Sequence, residues 1–268
     1  MTVLAATDLD RTLIYSRKAR ALGADDAATV CVEVHDGEQV SFMTAAAAEA
    51  LVDLAARAAV VPVTTRIVEQ YRRVRLPGPP PKYAVVANGG VLLVDDAPDR
   101  GWARHIECSL AASVPLDEVW AHVGNVCHTD FTVKLRNASD LFCYAVVRPS
   151  RLPGGFVGDL SAWAAERGWR TSLQGRKLYW VPDQLTKSAA VAEVAARLAA
   201  QHVLAAGDSL LDVDLLLAAD RAIRPAHGEL HDQGWSAPHV TVTTASGIAA
   251  GAEIMNWFSV AAGSPVRA

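Results

Sequence analysis

Several features that would place a chain quickly are scarce here. Of 268 residues only four are cysteine (Cys31, Cys108, Cys127 and Cys143), and none form a Cys-x-x-Cys pair. A chain of this length does not need disulfide staples, so reduced thiols are expected. The neighbours His105/Cys108 and Cys127/His128 fit no common zinc spacing. Neither sign of charge dominates: 25 Lys and Arg stand against 29 Asp and Glu, a formal net charge of −4. That balance argues against a nucleic-acid surface. The first apolar run stops at Asp8 with no basic segment before it. Neither a signal peptide nor a membrane anchor is expected, and the reading is a cytoplasmic protein with no membrane partner.

Apolar residues, in contrast, make up 51% of the chain. That is enough for a substantial core in one large or two smaller domains. At both ends of the sequence short apolar strands alternate with helical patterns. TVLAAT (2–7), AVVPVTT (59–65), YAVVANGG (83–90) and HVLAAGDS (202–209) read as buried strands. TAAAAEALVDLAARA, RIVEQYRRVRL, TKSAAVAEVAARLAA, LLDVDLLLAA and GIAAGAEIMNWF read as helices, with Thr44 as an N-cap for the first. TVCVEVHDGEQVSFMT alternates around an Asp36-Gly37 turn, a hairpin signal. Continuous apolar strands between helices point to a doubly wound, Rossmann-like parallel α/β sheet. The middle, 97–182, differs. DFTVKLRNAS with DLFCYAVVRP, and WRTSLQG with RKLYWVP, read as antiparallel strand pairs beside two helices. This is an inserted α+β domain, flanked by core segments 1–96 and 183–268.

Ligands of such sheets gather beyond the carboxyl ends of the strands. The first strand ends there in Asp8 and Asp10. The second ends in Thr64, Thr65 and Arg66, a third in Asn88, and a fourth in Asp208 and Ser209, with Asp212 in the next turn. Lys187 opens the helix before that fourth strand. These groups form one chemical set. A carboxylate can attack phosphorus and form an aspartyl-phosphate. A second carboxyl can protonate the leaving oxygen and later deprotonate water. Mg²⁺ held by carboxylates neutralises the meeting of two anions, and a lysine with a threonine hydroxyl can hold phosphate oxygens.

These residues resemble the haloacid dehalogenase (HAD) superfamily of phosphatases. DLDRTL is similar to its first motif, D-x-D-x-T. VTTR, Lys187 in LTKSAAV, and GDSLLD resemble the second, third and fourth, in the family's order. VTTR followed by VANGG, and GRKLYWVP followed by TKSAAV, further resemble the Cof-type subgroup, which includes sucrose-phosphate phosphatases. The resemblance implies Asp8 as nucleophile and Asp10 as general acid/base. It implies Mg²⁺ held by the Asp8 side chain, the Asp10 main-chain carbonyl and Asp208, with Asp212 in support. Thr64, Thr65 and Lys187 would bind the phosphoryl group. The inserted α+β domain would be a cap over a small phosphate ester, a sugar phosphate by analogy with the subgroup. Family members that are not phosphatases often lack an acid at the position of Asp10, so its presence favours ester hydrolysis.

Each assignment has a plainer counterpart. Asp212 is also a first-turn acid favoured by the helix dipole, and Asn88 a turn former. Arg66, Asn88, Lys134 and Arg176 are candidates for substrate contact, with Arg136 and Lys177 beside them; the charged ones are otherwise solvated charge. Arg224 and His227 are placed to approach the site from the side. Four departures stand out: Arg11 where many members have Gly, a long segment over 15–29, Leu211 where the subgroup often has Asn, and RPAHGEL in place of a short GNA segment. Other readings remain open: a phosphomutase, a nucleotide or cofactor phosphatase, or a phosphometabolite-binding module with little turnover. The expected state is a monomer or homodimer.

Overall fold

In the computed structural model, which describes residues 2–20 and 28–263, Val3–Thr7 is buried at every position. A strand with no polar alternation has no face to show to solvent, so it belongs at the centre of a sheet covered on both sides. It is β1. The chain goes on through β2 (Tyr15–Ser16), α1 (Arg17–Arg20), β3 (Thr29–His35), β4 (Glu38–Thr44), α2 (Ala45–Ala55), β5 (Ala59–Pro62), α3 (Val68–Tyr71), β6 (Tyr83–Val86), β7 (Val91–Val94) and β8 (Ala97–Pro98). Then come α4 (Arg100–Leu110), α5 (Leu116–Val126), β9 (Thr132–Ala138), β10 (Phe142–Val147), α6 (Phe156–Ala165), β11 (Trp169–Gln174) and β12 (Lys177–Pro182). The last stretch is α7 (Lys187–Leu198), β13 (His202–Ala206), α8 (Val213–Ala218), β14 (Arg221–Arg224), α9 (Glu229–Asp232), β15 (Val240–Val242) and α10 (Ile248–Gly263).

The chain forms two compact units, Met1–Asp99 with Lys187–Ala268, and Arg100–Thr186. The first is built on a five-stranded sheet in the order β15-β14-β13-β1-β5. All its pairings are parallel, with Thr7 level with Ala206 on one side and Pro62 on the other. From β1 the order runs out to β5 one way and to β13, β14 and β15 the other. The doubly wound α/β expectation holds, and the loops after β1 and β13 lie side by side at the switch point. The amide of Asp8 donates to Ala206 O at 2.9 Å, tying the two loops together.

Leu51 and Leu54 of α2 pack with Ile254, Met255 and Phe258 of α10, and with Leu9 and Leu13 of the loop after β1. The core therefore grips the loop after β1 from below. The side chain of Thr44 caps α2 by accepting from the Ala47 amide at 3.1 Å. β3 and β4 form the expected hairpin, with Asp36 and Gly37 both at positive φ (51° and 79°). With β2 they make a separate three-stranded sheet. The segment 15–29 lies partly outside the described residues.

One local expectation changes, and the Asn-Gly turn holds. RIVEQYRRVRL, read as a helix, is helical only over Val68–Tyr71. After it the chain runs back along the hairpin: Val74 bridges to Glu33, and the Arg75 amide donates to Val32 O at 2.7 Å. Asn88-Gly89 lies in a tight 3₁₀ turn, Ala87–Gly89, between β6 and β7, and all its φ values are positive.

The second unit is a four-stranded antiparallel sheet, β11-β12-β10-β9, with α4, α5 and α6. Helix α4 was not anticipated from its polar sequence. The unit continues past Pro182 to Thr186. The Ser113 hydroxyl bonds to Gln184, and Arg170 Nη2 donates to Leu185 O at 2.6 Å, so this tail stays fastened to the sheet. Among the described residues no helix is long and apolar enough to cross a membrane.

Phe258 is fully buried at the centre of the α2–α10 cluster. Phe258→Ala is expected to cost about 3–5 kcal/mol, read as a lowered urea midpoint with unchanged slope.

Candidate active site

The loop after β1 turns sharply. The amides of Leu13 and Ile14 both donate to Leu9 O, at 2.9 and 2.8 Å, and Arg11 stands at φ 67°. This turn leaves the Asp8 side chain buried and that of Asp10 38% exposed. The loop after β13 comes equally close. A Cβ on Gly207 would lie 2.4 Å from Asp212 Cβ, and one on Gly228 would lie 2.5 Å from Asp208 Oδ2. Both positions therefore require glycine, and both let backbone press against a carboxylate.

Lys187, fully buried at the start of α7, points at this junction. Its Nζ donates to Asp8 Oδ1 at 2.7 Å and to Asp212 Oδ1 at 2.5 Å. The other oxygen of Asp212 accepts from the Asp208 amide (3.1 Å), the Ser209 amide (2.9 Å) and the Ser209 hydroxyl (2.7 Å). Asp212 is thus a strut that joins lysine to loop. Burial pushes the Asp8 carboxyl up to about 7, against the pull of Lys187 and with help from Asp212 and Asp10. Asp208 is raised well above the usual carboxylate range by burial, then by Asp8 and Asp212. Lys187 is held charged above its ordinary range: Asp212 and Asp8 outweigh the burial that would lower it.

Asp8, Asp208 and Asp212 offer carboxylate oxygens all within 4.8 Å of one another. The buried lysine pairs with two of the three acids, and Asp208 Oδ2 is buried without a hydrogen bond. The nearest cation to that oxygen is Arg11, with Nε 3.8 Å away. An oxygen-only donor set, short of positive charge and with an orphaned oxygen, fits a hard divalent cation such as Mg²⁺.

Asp10 meets a different cation. Arg66 Nε and Nη2 donate to its two oxygens at 2.7 and 2.8 Å, a two-pronged pair. Nη1 of the same guanidinium reaches Glu33 Oε2 at 3.0 Å. Arg66, a candidate for substrate contact, is thus turned onto two acids of the protein. The Thr64 hydroxyl accepts from the Arg66 amide at 3.1 Å, and the Asn88 amide donates to Thr64 O at 2.9 Å. Thr64, Thr65 and Asn88 are all buried. Lys134 and Arg176 are exposed on the second unit, on β9 and at the β11–β12 turn. Glu33 was missed from sequence because an acid in an alternating hairpin reads as a solvent-facing residue.

His227 holds the loop from behind. Its Nδ1 accepts from the Gly247 amide at 3.1 Å, so Nε2 carries the proton and donates to Arg11 O at 2.8 Å. The buried, unhydrogen-bonded Nε of Arg224 lies on β14, outside this cluster of contacts.

No family model matches the chain, and no curated protein matches it. Solved structures do. A sucrose-phosphatase from Synechocystis sp., in complex with sucrose and phosphate, aligns with a TM-score of 0.65 at 15% identity, covering 96% of this chain and 98% of that one. A HAD subclass IIB sugar phosphatase aligns at 0.56 and 12% identity, over 96% and 99% of the two chains. A HAD phosphatase from Bacteroides thetaiotaomicron aligns at 0.54 and 14%, over 97% and 96%. At these identities the likeness is one of fold, and the fold is that of the HAD phosphatases.

Burial and the Arg11 cation keep His227 below the ordinary imidazole range of 6.5. The unfolded chain takes up the proton first, so His227 contributes stability above about pH 6.5 that is lost as pH falls toward its folded value. The stability difference between wild type and His227→Gln should therefore shrink from about pH 7.5 to about pH 5 in urea titrations. A difference constant over that window would contradict it.

Proposed function

We propose that the protein is a Mg²⁺-dependent phosphatase that hydrolyses a small phosphorylated metabolite through an aspartyl-phosphate on Asp8. The observation that carries this reading is the buried set Asp8, Lys187, Asp212 and Asp208 at the sheet's switch point, with Asp10 beside it.

Oδ1 of Asp8 is taken by Lys187, and this fixes the carboxylate's orientation. Its other oxygen forms the bond to phosphorus as the bond from phosphorus to the ester oxygen breaks. Asp10 delivers its proton to that leaving oxygen, then takes one from the water that cleaves the acyl phosphate, releasing phosphate and restoring both acids. Lys187 and the Thr64 and Thr65 region supply donors for the phosphoryl oxygens. The Asp8 and Asp208 carboxylates with the Asp10 main-chain carbonyl would hold Mg²⁺, braced by Asp212. When bound, the ion neutralises the charge of an anion approaching an anion.

A sugar phosphate is the proposed substrate class. The support is analogy: the similar structures include proteins named sucrose-phosphatase and sugar phosphatase. The inserted unit would act as the cap that keeps water out until the leaving group departs. The test is release of phosphate from a panel of sugar, nucleotide and cofactor phosphates with Mg²⁺. Hydrolysis of none would favour a binding module, and isomerisation of a glycosyl phosphate a mutase.

Asp8→Asn should lower turnover by at least about 10³-fold, measured as phosphate release from the preferred ester. Chelation should abolish turnover, and Mg²⁺ should restore it. Mg²⁺ at about 100 times its Kd should also stabilise the folded protein by roughly 2.7 kcal/mol in thermal or urea melts. A melt indifferent to Mg²⁺ would remove the ion from the site.

A further inference from the structure

Glu33 raises a question that the phosphatase reading leaves unanswered. It lies on β3 of an outlying hairpin, where an acid would ordinarily face water. Instead the residue is 2% exposed. The β3–β4 register slips on both sides of it, between Cys31 and Glu33 and between Glu33 and Val34. Such an irregularity re-aims a side chain. Here it turns a carboxylate inward, which is costly unless the charge is paired.

The pairing is complete. Oε2 accepts from the Ser41 hydroxyl at 2.6 Å and meets Arg66 Nη1 at 3.0 Å. Oε1 meets Arg73 Nε at 3.2 Å. Arg66 is thus bound along two edges, by Asp10 through Nε and Nη2 and by Glu33 through Nη1. Its main chain is held too, by Thr64 Oγ1 at the amide and by the Ala87 amide at the carbonyl.

We propose that Glu33 is a positioning residue for Asp10. By anchoring the far edge of Arg66, it sets the plane in which Asp10 presents its carboxyl group to the leaving oxygen. The proposal rests on the phosphatase reading and goes beyond it. Asp10 sits on a loop with its side chain partly exposed, so the loop alone does not define its rotamer. A general acid must stand within hydrogen-bond reach of the oxygen it protonates, and a displacement of about 1 Å costs on the order of 10²-fold. A carboxylate has about four acceptor sites and the Arg66 fork uses two, so the pairing does not by itself exhaust the sites that can carry the transferred proton. Without Glu33 the guanidinium keeps its bond to Asp10 but loses the second anchor that fixes its angle.

The readout is the leaving group. Acid catalysis matters for an alkyl alcohol, a poor leaving group, and little for a nitrophenolate, which departs without a proton. Wild type, Glu33→Gln, Asp10→Asn and the double variant are compared on the preferred alkyl phosphate and on p-nitrophenyl phosphate. Glu33→Gln is expected to lower kcat/KM on the alkyl ester by roughly tenfold or more, with kcat/KM on the aryl ester changed less than about threefold. This ratio covers the steps up to loss of the leaving group and so excludes the later role of Asp10 as base, which both esters share. The double variant should be no worse than Asp10→Asn, since both act through one carboxyl. Mg²⁺ affinity measured by calorimetry should stay unchanged. Ser41→Ala, which keeps the charge but removes the hydroxyl at 2.6 Å, should show the same ester preference in smaller measure, and it carries the test if Glu33→Gln does not fold. Equal losses on both esters, no loss on either, or multiplicative losses in the double variant would overturn the proposal while leaving the phosphatase reading intact. A wild type that hydrolyses neither ester would overturn both.

Discussion

Lys187 is the constraint on which the site is built. One buried ammonium is shared by Asp8 and Asp212, and it arrives from α7, 179 residues along the chain from Asp8. An isolated charge at that depth would be prohibitive, so each partner is tolerated only because the other two are present. This dependence couples three parts of the fold: the end of β1, the start of α7 and the turn after β13. Asp212 passes the constraint on through its second oxygen, which gathers the Asp208 and Ser209 amides and so shapes the loop that offers Asp208. Stability and function draw on the same bonds. The excess of acid over base left in the cluster is also what makes it receptive to a cation.

A second charge network lies beside the first and keeps to its own partners. Asp10, Arg66, Glu33 and Arg73 alternate in sign, with the Ser41 hydroxyl donating to Glu33. The two networks give two neighbouring aspartates different surroundings. Asp8 is buried and meets a lysine, a compact donor. Asp10 is partly open and meets the flat fork of an arginine, which defines a plane as well as a distance. A nucleophile needs a fixed oxygen, and a proton carrier needs a fixed orientation with room to exchange its proton. In the proposed mechanism Asp8 is the nucleophile and Asp10 the proton carrier, and their partners suit those roles.

Much of this was legible in the sequence, for a physical reason. Buried parallel strands have no polar alternation, so β1, β13 and their terminal aspartates announce themselves as apolar runs that stop at an acid. The positions of Asp8, Thr64, Lys187 and Asp208 relative to strand and helix ends followed from local pattern alone. What was not legible depends on long-range charge. RIVEQYRRVRL has helical periodicity, yet the helix ends at Tyr71. Past that point the chain pairs with the hairpin, where Arg73 reaches Glu33 and Val74 bridges to it. The same buried acid that escaped notice also defeated the helix. Arg66 could be read from sequence as a residue aimed at substrate because nothing local reveals that two acids hold it.

Arg11 shows how a departure from a common pattern can still satisfy the geometry that produced the pattern. The turn after β1 needs positive φ at this position, and Arg11 adopts 67°. Glycine would do so freely, whereas an arginine pays about 1–2 kcal/mol. Two contacts offset that cost. His227 donates to the Arg11 carbonyl at 2.8 Å, and the guanidinium lies 3.8 Å from Asp208 Oδ2. His227 belongs to RPAHGEL, the other stretch that departs from the subgroup, and Gly228 in that stretch presses against the same Asp208 oxygen. The two loops are therefore linked: Arg11, at positive φ in one, is held by His227 of the other. The result places a cation beside Asp208 Oδ2, a buried carboxylate oxygen without a hydrogen bond.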